Sequence, residues 1–321
     1  MRLIDTAAAE PLARTSGTLA LIRHATSRSP GEPGAPWLDT GLEALGGPAA
    51  VELWQVPGPV EDRIQGPFRV RAAGEVAFLA AVFPDREDLA PVAETLYREL
   101  YAAAAALGRP HLLRVWHYFP RIHARIGHDD RYRRFCTGRS KALTALGVAT
   151  AALPAASLLG AEAPGLLCYA LLAATPGTQI ENPRQRSAFR YPARYGRDRP
   201  AFSRAVAKNW NGANQLYISG TASITGHASH HATTLEQLGE TLANLEALLA
   251  AAHEHAGLHA DGLRSIAPLK VYLRHGDDLA PVRDALAERL GAGHPVQYLR
   301  ADVCRPELLV EIEGMAVSTA A

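Results

Sequence analysis

Short apolar runs alternate along the chain with longer stretches in which apolar and polar positions recur at helical spacing. Runs of apolar and β-branched residues predict buried strands, whereas apolar residues three or four positions apart predict helices. In the first half the predicted strands cover residues 19–22, 51–54, 68–70, 77–82, 112–118, 148–152 and 166–173. Two helices are predicted there, at 88–107 and 129–146, and Gly108 ends the first of them.

The second half repeats this order of elements. Strands are predicted at 214–224, 266–273, 295–303 and 308–312, and helices at 234–253 and 278–290. Each half therefore reads as strands, a helix, a strand, a second helix and further strands. This order predicts an α+β fold of two duplicated units, each a mixed β-sheet with helices packed on one face.

A long connection between the halves shows neither kind of periodicity. Residues 179–209 are rich in Arg, Pro and Tyr. A connection of this length inside a compact chain is more often functional than idle. We therefore expect an N-terminal domain at 1–178, a C-terminal domain at 210–321, and a connection that contributes to the functional site.

Composition and charge narrow the class of function. The 321 residues are 48% hydrophobic and 20% charged, a balance typical of a soluble globular protein. Because 33 basic and 32 acidic side chains nearly cancel, no net field favours nucleic acid or an anionic membrane. No apolar run approaches the ~20 residues that span a bilayer, and the N-terminal segment lacks the apolar core of a signal peptide. We expect a cytoplasmic protein that acts on a small molecule, with no nucleic-acid or membrane partner.

The cysteines and histidines predict neither a disulfide framework nor a metal site. Cys136, Cys168 and Cys304 are odd in number and lack metal-type spacing. The histidines within 227–231 and 253–259 lack the helical His-x-x-x-His pair and the carboxylates of a zinc site. The sequence also has no phosphate loop, dinucleotide fingerprint or Gly-x-Ser-x-Gly elbow. We expect no metal and no cofactor.

One predicted strand ends in an unusual run of small residues. The apolar segment 216–218 is followed by Ser219, Gly220, Thr221, Ala222 and Ser223. Glycine permits a close backbone approach, and small side chains leave backbone N–H groups open to a ligand laid against the strand. The alternative is an ordinary strand and turn, and this segment alone does not decide between the two.

The last predicted strand carries two carboxyl groups on one face. Strand alternation places Glu311 and Glu313 on one side and Val310 and Ile312 on the other. A strand of this kind usually exposes its carboxylates to solvent. If this face instead closes a pocket beside Gly220, Glu311 loses solvent, its pKa rises, and it can act as a general acid at neutral pH.

Several segments resemble known families. The small-residue segment YISGTASITGHAS, the leucine-rich helix 235–249 and the closing LLVEIEGMA resemble the RidA (YjgF-like) fold. The whole chain resembles the chorismatases, through RVWHYFPRI (114–122), RYRRFCTGR (131–139), IENPRQRSAFRYPARYG (180–196) and FSRA (202–205). The resemblance implies two RidA-like units and a cofactor-free enzyme that releases pyruvate from chorismate.

The resemblance also implies a set of site residues. In these families a Glu on the final strand lines the cleft, which implies that Glu311 protonates the enolpyruvyl methylene of chorismate. Chorismate has two carboxylates, and Arg suits such groups better than Lys because its donors form a planar fork. The expected substrate-binding residues are Tyr132, Arg139, Tyr191, Tyr195, Arg204, Gly220, Thr221 and Ala222.

Cys304 bears on the product. The hydroxybenzoate-forming chorismatases have a cysteine a few residues before the catalytic Glu, as Cys304 precedes Glu311, where it is thought to help expel the ring hydroxyl. This implies a catalytic role for Cys304 and 3-hydroxybenzoate as the product. Ala222 does not clearly favour this subtype. A mixture of 3- and 4-hydroxybenzoate, hydrolysis to 3,4-dihydroxycyclohexa-1,5-diene carboxylate, RidA-like imine deamination and simple binding of a small carboxylate are the alternatives.

The resemblance leaves two oligomeric states open. RidA proteins are trimers whose clefts lie between subunits. The second half of this chain offers a substitute for a neighbouring subunit, so a monomer and a trimer are both compatible with the sequence.

Overall fold

The computed structural model describes residues 1–28, 36–47 and 50–319. An N-terminal segment forms one helix and a small sheet with the strand order β1-β5-β2-β3. Its elements are β1 (Arg2–Ile4), α1 (Thr6–Ala13), β2 (Thr18–Arg23), β3 (Trp37–Asp39), β4 (Glu43–Ala44) and β5 (Val51–Gln55). On β5, Val51 and Leu53 pack with α1, so Glu52 and Trp54 face the opposite side.

The first repeat follows and forms a six-stranded sheet. Its elements are β6 (Glu61–Gln65), β7 (Phe68–Ala73), β8 (Val76–Phe83), α2 (Ala90–Ala106), β9 (His111–Phe119), β10 (Arg125–Ile126), β11 (Asp129–Asp130), α3 (Arg131–Ala145), β12 (Ala155–Gly160) and β13 (Leu166–Ala173). The strand order is β12-β9-β13-β8-β7-β6, and β10 pairs with β11 in a separate hairpin. Only β12 and β9 run parallel in this sheet.

The second repeat forms the larger sheet. Its elements are β14 (Thr178–Ile180), β15 (Ala205–Trp210), β16 (Ala213–Ala222), α4 (Thr234–Ala256), β17 (Ile266–Leu273), α5 (Leu279–Leu290), β18 (Val296–Arg300) and β19 (Val310–Thr319). The order β18-β17-β19-β16-β15-β14 reproduces that of the first repeat, with β4 added beside β18. The parallel pair, β17 with β18, also recurs at the same place. The predicted α+β fold of duplicated units is confirmed.

The helices cover the outer faces and the two sheets face each other. Helices α2 and α3 pack on the first sheet, and α4 and α5 on the second. The opposite faces share one core that contains Trp116, Tyr118, Tyr169, Tyr217 and Tyr272. The hydroxyl of Tyr118 bonds those of Tyr169 (3.2 Å) and Tyr272 (2.9 Å), which joins the two repeats across this core.

The largest differences from the predicted strands are at 148–152, 295–303 and 308–312, and the second of these strands ends at Arg300. The strand at 148–152 is wrong: Thr150–Ala152 form a short 3-10 helix, and the strand is β12, which starts directly after Pro154. The first residues of β12 are small, so they show no clear alternation of apolar and polar positions. The closing strand starts at Val310 rather than at 308, because a turn from Arg305 to Leu308 precedes it. The domain boundaries at 178 and 209 stay a prediction. Among the described residues, no helix has the length and apolar character needed to cross a membrane.

Candidate active site

Strand β19 places Glu311 and Glu313 between the two sheets. Val310 and Ile312 point into the core beneath α4, as the alternation predicts. Glu311 and Glu313 point the other way and are only 4% and 1% exposed, because the first repeat covers this face. The usual solvated carboxylate strand is therefore excluded for both residues.

A β-bulge brings Gly220 against Glu311. Between the pairs Ile218–Gly314 and Thr221–Ile312, two residues of β16 lie opposite the single residue Glu313. A Cβ atom at position 220 would overlap the carboxyl group of Glu311. The bulge and the missing side chain thus create the space that the Glu311 carboxyl occupies.

The N–H of Gly220 already has a partner. It donates to Ser157 Oγ at 2.9 Å, and the Ser157 hydroxyl in turn donates to Glu313 Oε2. The expectation that Gly220 offers its N–H to a ligand therefore does not describe this structure. Gly220 makes room instead, and Ser157 of β12 ties the bulge to Glu313.

Glu313 is held by two cations and an indole. Arg114 Nη2 lies 2.6 Å from Glu313 Oε2, and Lys270 Nζ lies 2.6 Å from Oε1. Trp116 Nε1 donates to the same Oε1 at 2.7 Å. Burial alone would raise the pKa of Glu313, but Lys270 and Arg114 outweigh it, and the pKa is lowered. Glu313 is therefore a carboxylate at neutral pH.

Glu311 has the opposite protonation state. Burial, followed by the negative charge of Glu313, raises its pKa to about 8, although Arg114 and Arg204 act against the shift. No hydrogen bond to its carboxyl group is found within the described residues. Two neighbouring carboxyl groups with separated pKa values are typical of acid–base sites. Glu311 can deliver a proton at neutral pH.

A cavity of about 240 Å³ lies between α3, the connection and the turn that precedes β19. Four predicted site residues line it, whereas Glu311 is not among its lining residues. These residues are Tyr132, Tyr191, Tyr195 and Cys304. Burial, followed by the charge of Glu311, raises the pKa of Cys304 to about 12, so the side chain is a thiol at neutral pH.

Arg305 also lines the cavity, and the sequence analysis missed it. Its guanidinium lies 4.0 Å from the ring centroid of Tyr195 and 5.0 Å from that of Tyr191. Nη2 is buried without a hydrogen-bond partner. Its position next to Cys304 in the sequence was the one available signal.

Arg139 and Arg204 are buried cations without an ion-paired carboxylate among the described residues. Arg139, on α3, contacts Cys136 Sγ at 3.5 Å and stacks over Phe135. Arg204 donates to the Tyr191 hydroxyl at 2.6 Å. The Nε atoms of both arginines are buried and unbonded. Buried positive charge left in this state favours an anionic ligand.

The remaining predicted residues lie near these groups. Thr221 and Ala222 pair with Ile312 and Glu311 in the ladder, and the Thr221 hydroxyl donates to the carbonyl of Ser219. Ala222 is buried in the core between the sheets. Burial raises the pKa of Tyr132 well above its usual value, and the charges of Arg139 and Arg305 act against the shift. The charge of Glu311 acts on the pKa of Cys304, so this wall of the cavity lies near the carboxyl pair.

Known proteins resemble this chain in sequence and structure. The family described as "Chorismatase FkbO/Hyg5-like, N-terminal" matches residues 52–173. A chorismatase of Streptomyces rapamycinicus is 36% identical, over 82% of this chain and 81% of that protein. A 3-hydroxybenzoate synthase of Streptomyces hygroscopicus is 30% identical, over 88% and 86%. A crystal structure of a chorismatase has a TM-score of 0.89 at 31% identity and covers 98% of this chain and 97% of its own.

Proposed function

The chain belongs to the chorismatase family, and we propose that it converts chorismate to pyruvate and a hydroxybenzoate, in the first place 3-hydroxybenzoate. The observation that carries the proposal is Glu311, a buried carboxyl group that keeps its proton up to a pH of about 8. Splitting an enol ether requires a proton on carbon, and a carboxylic acid fixed on a rigid strand is suited to deliver it.

The proposed reaction begins at the enolpyruvyl side chain. Glu311 gives its proton to the terminal methylene, which leaves an oxocarbenium centre at the ether carbon. Water adds there and returns a proton to Glu311. The bond between this carbon and the ether oxygen then breaks, so that pyruvate leaves and the ring keeps the ether oxygen as a hydroxyl. Loss of one water from the ring gives the hydroxybenzoate, so that the overall conversion consumes no water.

The cations of the site suit a dianionic substrate. Arg139 and Arg204 each have a buried, unbonded Nε, and we assign them to the two carboxylates. Tyr132, Tyr191 and Tyr195 supply phenolic donors. The small residues from Gly220 to Ala222 give the ring a flat wall beside Glu311.

Cys304 is assigned to the ring chemistry. Its thiol lines the cavity, and the charge of Glu311 acts on its pKa. A protonated thiol can assist the departure of the ring hydroxyl as water, which yields the aromatic product. Without that assistance the ring would leave as the dihydroxycyclohexadiene acid, the product of the hydrolytic alternative. A mixture with 4-hydroxybenzoate would mean that in some turnovers the ring loses the ether oxygen together with pyruvate and a ring proton, and keeps its own hydroxyl.

The test is incubation of the purified protein with chorismate. A lactate dehydrogenase assay measures pyruvate, and chromatography identifies the ring product. We expect Glu311→Gln to lower pyruvate release by about 10²–10⁴-fold, while the exposed control Glu254→Gln keeps wild-type activity. No pyruvate from the wild-type protein would overturn the proposal. Turnover of an imine substrate would then favour RidA-like deamination, and calorimetric binding of chorismate without turnover would favour a binding module.

The site is built within one chain, since Arg114 of the first repeat contacts Glu313 of the second. We therefore propose a monomer, in which each repeat supplies to the other the contacts that a neighbouring subunit supplies in a trimer. Light scattering coupled to size exclusion tests this, and a trimeric mass would contradict it. The proposal includes a cytoplasmic location, which suits the free thiols of Cys136, Cys168 and Cys304.

A further inference from the structure

A series of buried, mostly charged side chains connects Glu313 to the N-terminal sheet. Lys270 Nζ, 2.6 Å from Glu313, also lies 3.1 Å from Glu52 Oε1 on β5. The same oxygen lies 2.8 Å from His24 Nε2, and His24 Nδ1 lies 3.0 Å from Thr40 Oγ1. Each of these five side chains is at most 3% exposed.

The far end of this series lies outside the two repeats. Glu52 lies in the four-stranded sheet of the N-terminal segment, and it faces the shared core because Val51 and Leu53 pack with α1. Burying a carboxylate there is costly unless it is paired. Lys270 and His24 supply the pairing and, despite the burial, lower the pKa of Glu52 to about 2.

Apart from the His24 imidazole, the formal charges of the cluster balance. Two carboxylates, Glu52 and Glu313, face one ammonium, Lys270, and one guanidinium, Arg114. Their sum is zero when Glu311 carries its proton. Ionisation of Glu311 adds an unbalanced buried charge, whereas removal of the Glu52 charge leaves the cluster positive and favours an ionised Glu311.

We propose that Glu52 is a positioning residue for catalysis: it fixes Lys270 beside Glu313 and offsets the positive charge of that ammonium, so that Glu311 stays beside Gly220 as an acid. The N-terminal sheet is then a part of the catalytic apparatus rather than an accessory. The inference rests on the proposed function for its kinetic readout, but not for its spectroscopic one.

Other titratable and charged groups face these carboxyls. Around Glu311 they are Glu313, Arg114, Arg204 and Cys304. Around Glu52 they are His24, Lys270, Tyr169 and the amino group of Met1. Substitutions at Glu52 and Lys270 leave the other titratable groups in the sequence unchanged.

The experiment compares Glu52→Gln with the wild type and with Glu61→Gln, an exposed control on β6. The infrared difference spectrum between each protein and its Glu311→Gln counterpart isolates the carboxyl band of Glu311, whose midpoint is followed against pH. We expect Glu52→Gln to lower this midpoint by about half a pH unit or more. The alkaline limb of pyruvate release should move with it, and kcat should fall while KM changes little.

The double variant Glu52→Gln/Lys270→Met removes one charge of each sign. It should return the midpoint towards the wild-type value, which a loss of packing alone would not do. An unchanged midpoint in folded Glu52→Gln, or a double variant shifted as far as the single one, would overturn the proposal.

Two further variants keep the proposal testable if Glu52→Gln does not fold. Glu52→Asp keeps the charge but withdraws it from Lys270, so it should lower the Glu311 midpoint and kcat. The double variant leaves no unbalanced ammonium and should keep the midpoint near the wild-type value. A wild-type midpoint in Glu52→Asp, or a lowered midpoint in the double variant, would overturn the proposal. Absence of pyruvate release in the wild type would reject the proposed function alone, because the infrared titration does not use chorismate.

Discussion

Glu311 and Glu313 lie two residues apart on the same face of β19, and their pKa values shift in opposite directions. Glu313 meets Arg114, Lys270 and Trp116 and stays ionised. Glu311 meets Gly220 and the charge of Glu313, and it keeps its proton. The difference comes from what the first repeat and β17 place opposite each carboxyl group, since both are equally buried. One strand thus supplies an acid and the anion that keeps it protonated.

The rate of pyruvate release should fall as the pH rises through about 8. In the proposed mechanism Glu311 acts only when protonated, and its pKa in the folded protein is about 8. We expect log kcat/KM to level off below this value and to decline above it. A profile recorded from about pH 6 to about pH 9.5 checks this. A rate that increases across this range would show that the Glu311 carboxylate, and not the acid, is required.

Glu311→Gln should make the protein more stable at neutral pH. The pKa of Glu311 is 4.5 as the reference value and about 8 in the fold. The unfolded chain therefore ionises first, and the stability that Glu311 provides is lost as the pH rises above 4.5. The amide variant avoids this loss, by up to a few kcal/mol at pH 7 to 8. Thermal unfolding should show a gain in Tm that grows from pH 5 to pH 8, and a constant difference would contradict the assignment.

Gly220→Ala should abolish most pyruvate release while the protein stays folded. The new methyl group would overlap the Glu311 carboxyl, which must move out of its place beside the bulge. We expect a cost of about 1–3 kcal/mol from overpacking and a loss of most activity. Gly239→Ala is the matched control, because nothing lies within 4 Å of its added methyl and the site is helical. Equal activity of the two variants would exclude the contact as a requirement.

Cys304→Ala should change the product rather than abolish pyruvate release. If the thiol helps expel the ring hydroxyl, its removal shifts the product from hydroxybenzoate towards the dihydroxycyclohexadiene acid. The ratio is measured by chromatography with pyruvate as the internal reference. Cys168→Ala, a buried thiol of β13 in the core beneath α2 and α3, should lower stability and leave the ratio unchanged. An unchanged ratio in Cys304→Ala would remove the cysteine from the mechanism.

The periodicity of apolar residues predicted those features of the fold that neighbouring residues in the sequence determine. The repeated order of elements gave the duplicated fold, and strand alternation put Glu311 and Glu313 on one face. The prediction of a strand at 148–152 is wrong because the apolar run there precedes Pro154, after which the strand begins. Small residues such as Ala155 and Ser157 give the actual strand no clear hydrophobic pattern.

The partners of the carboxyl pair were outside the reach of such patterns. Ser157, Arg114 and Lys270 come from three other strands, and only the folded topology brings them to Glu313. The hydrogen bond from the Gly220 N–H to Ser157 likewise depends on β12 crossing beside β16. A sequence shows that a glycine is present, but it does not show which neighbour occupies the space.

Strand β19 follows every other element of the described residues in chain order and lies in the interior of its sheet, between β16 and β17. A growing polypeptide therefore exposes the edges of β16 and β17 until this segment is synthesised, and it has no acid until then. Chaperone protection during translation would matter most in that interval. Premature termination upstream of Val310 would yield an inactive chain with two open strand edges, a form prone to aggregation.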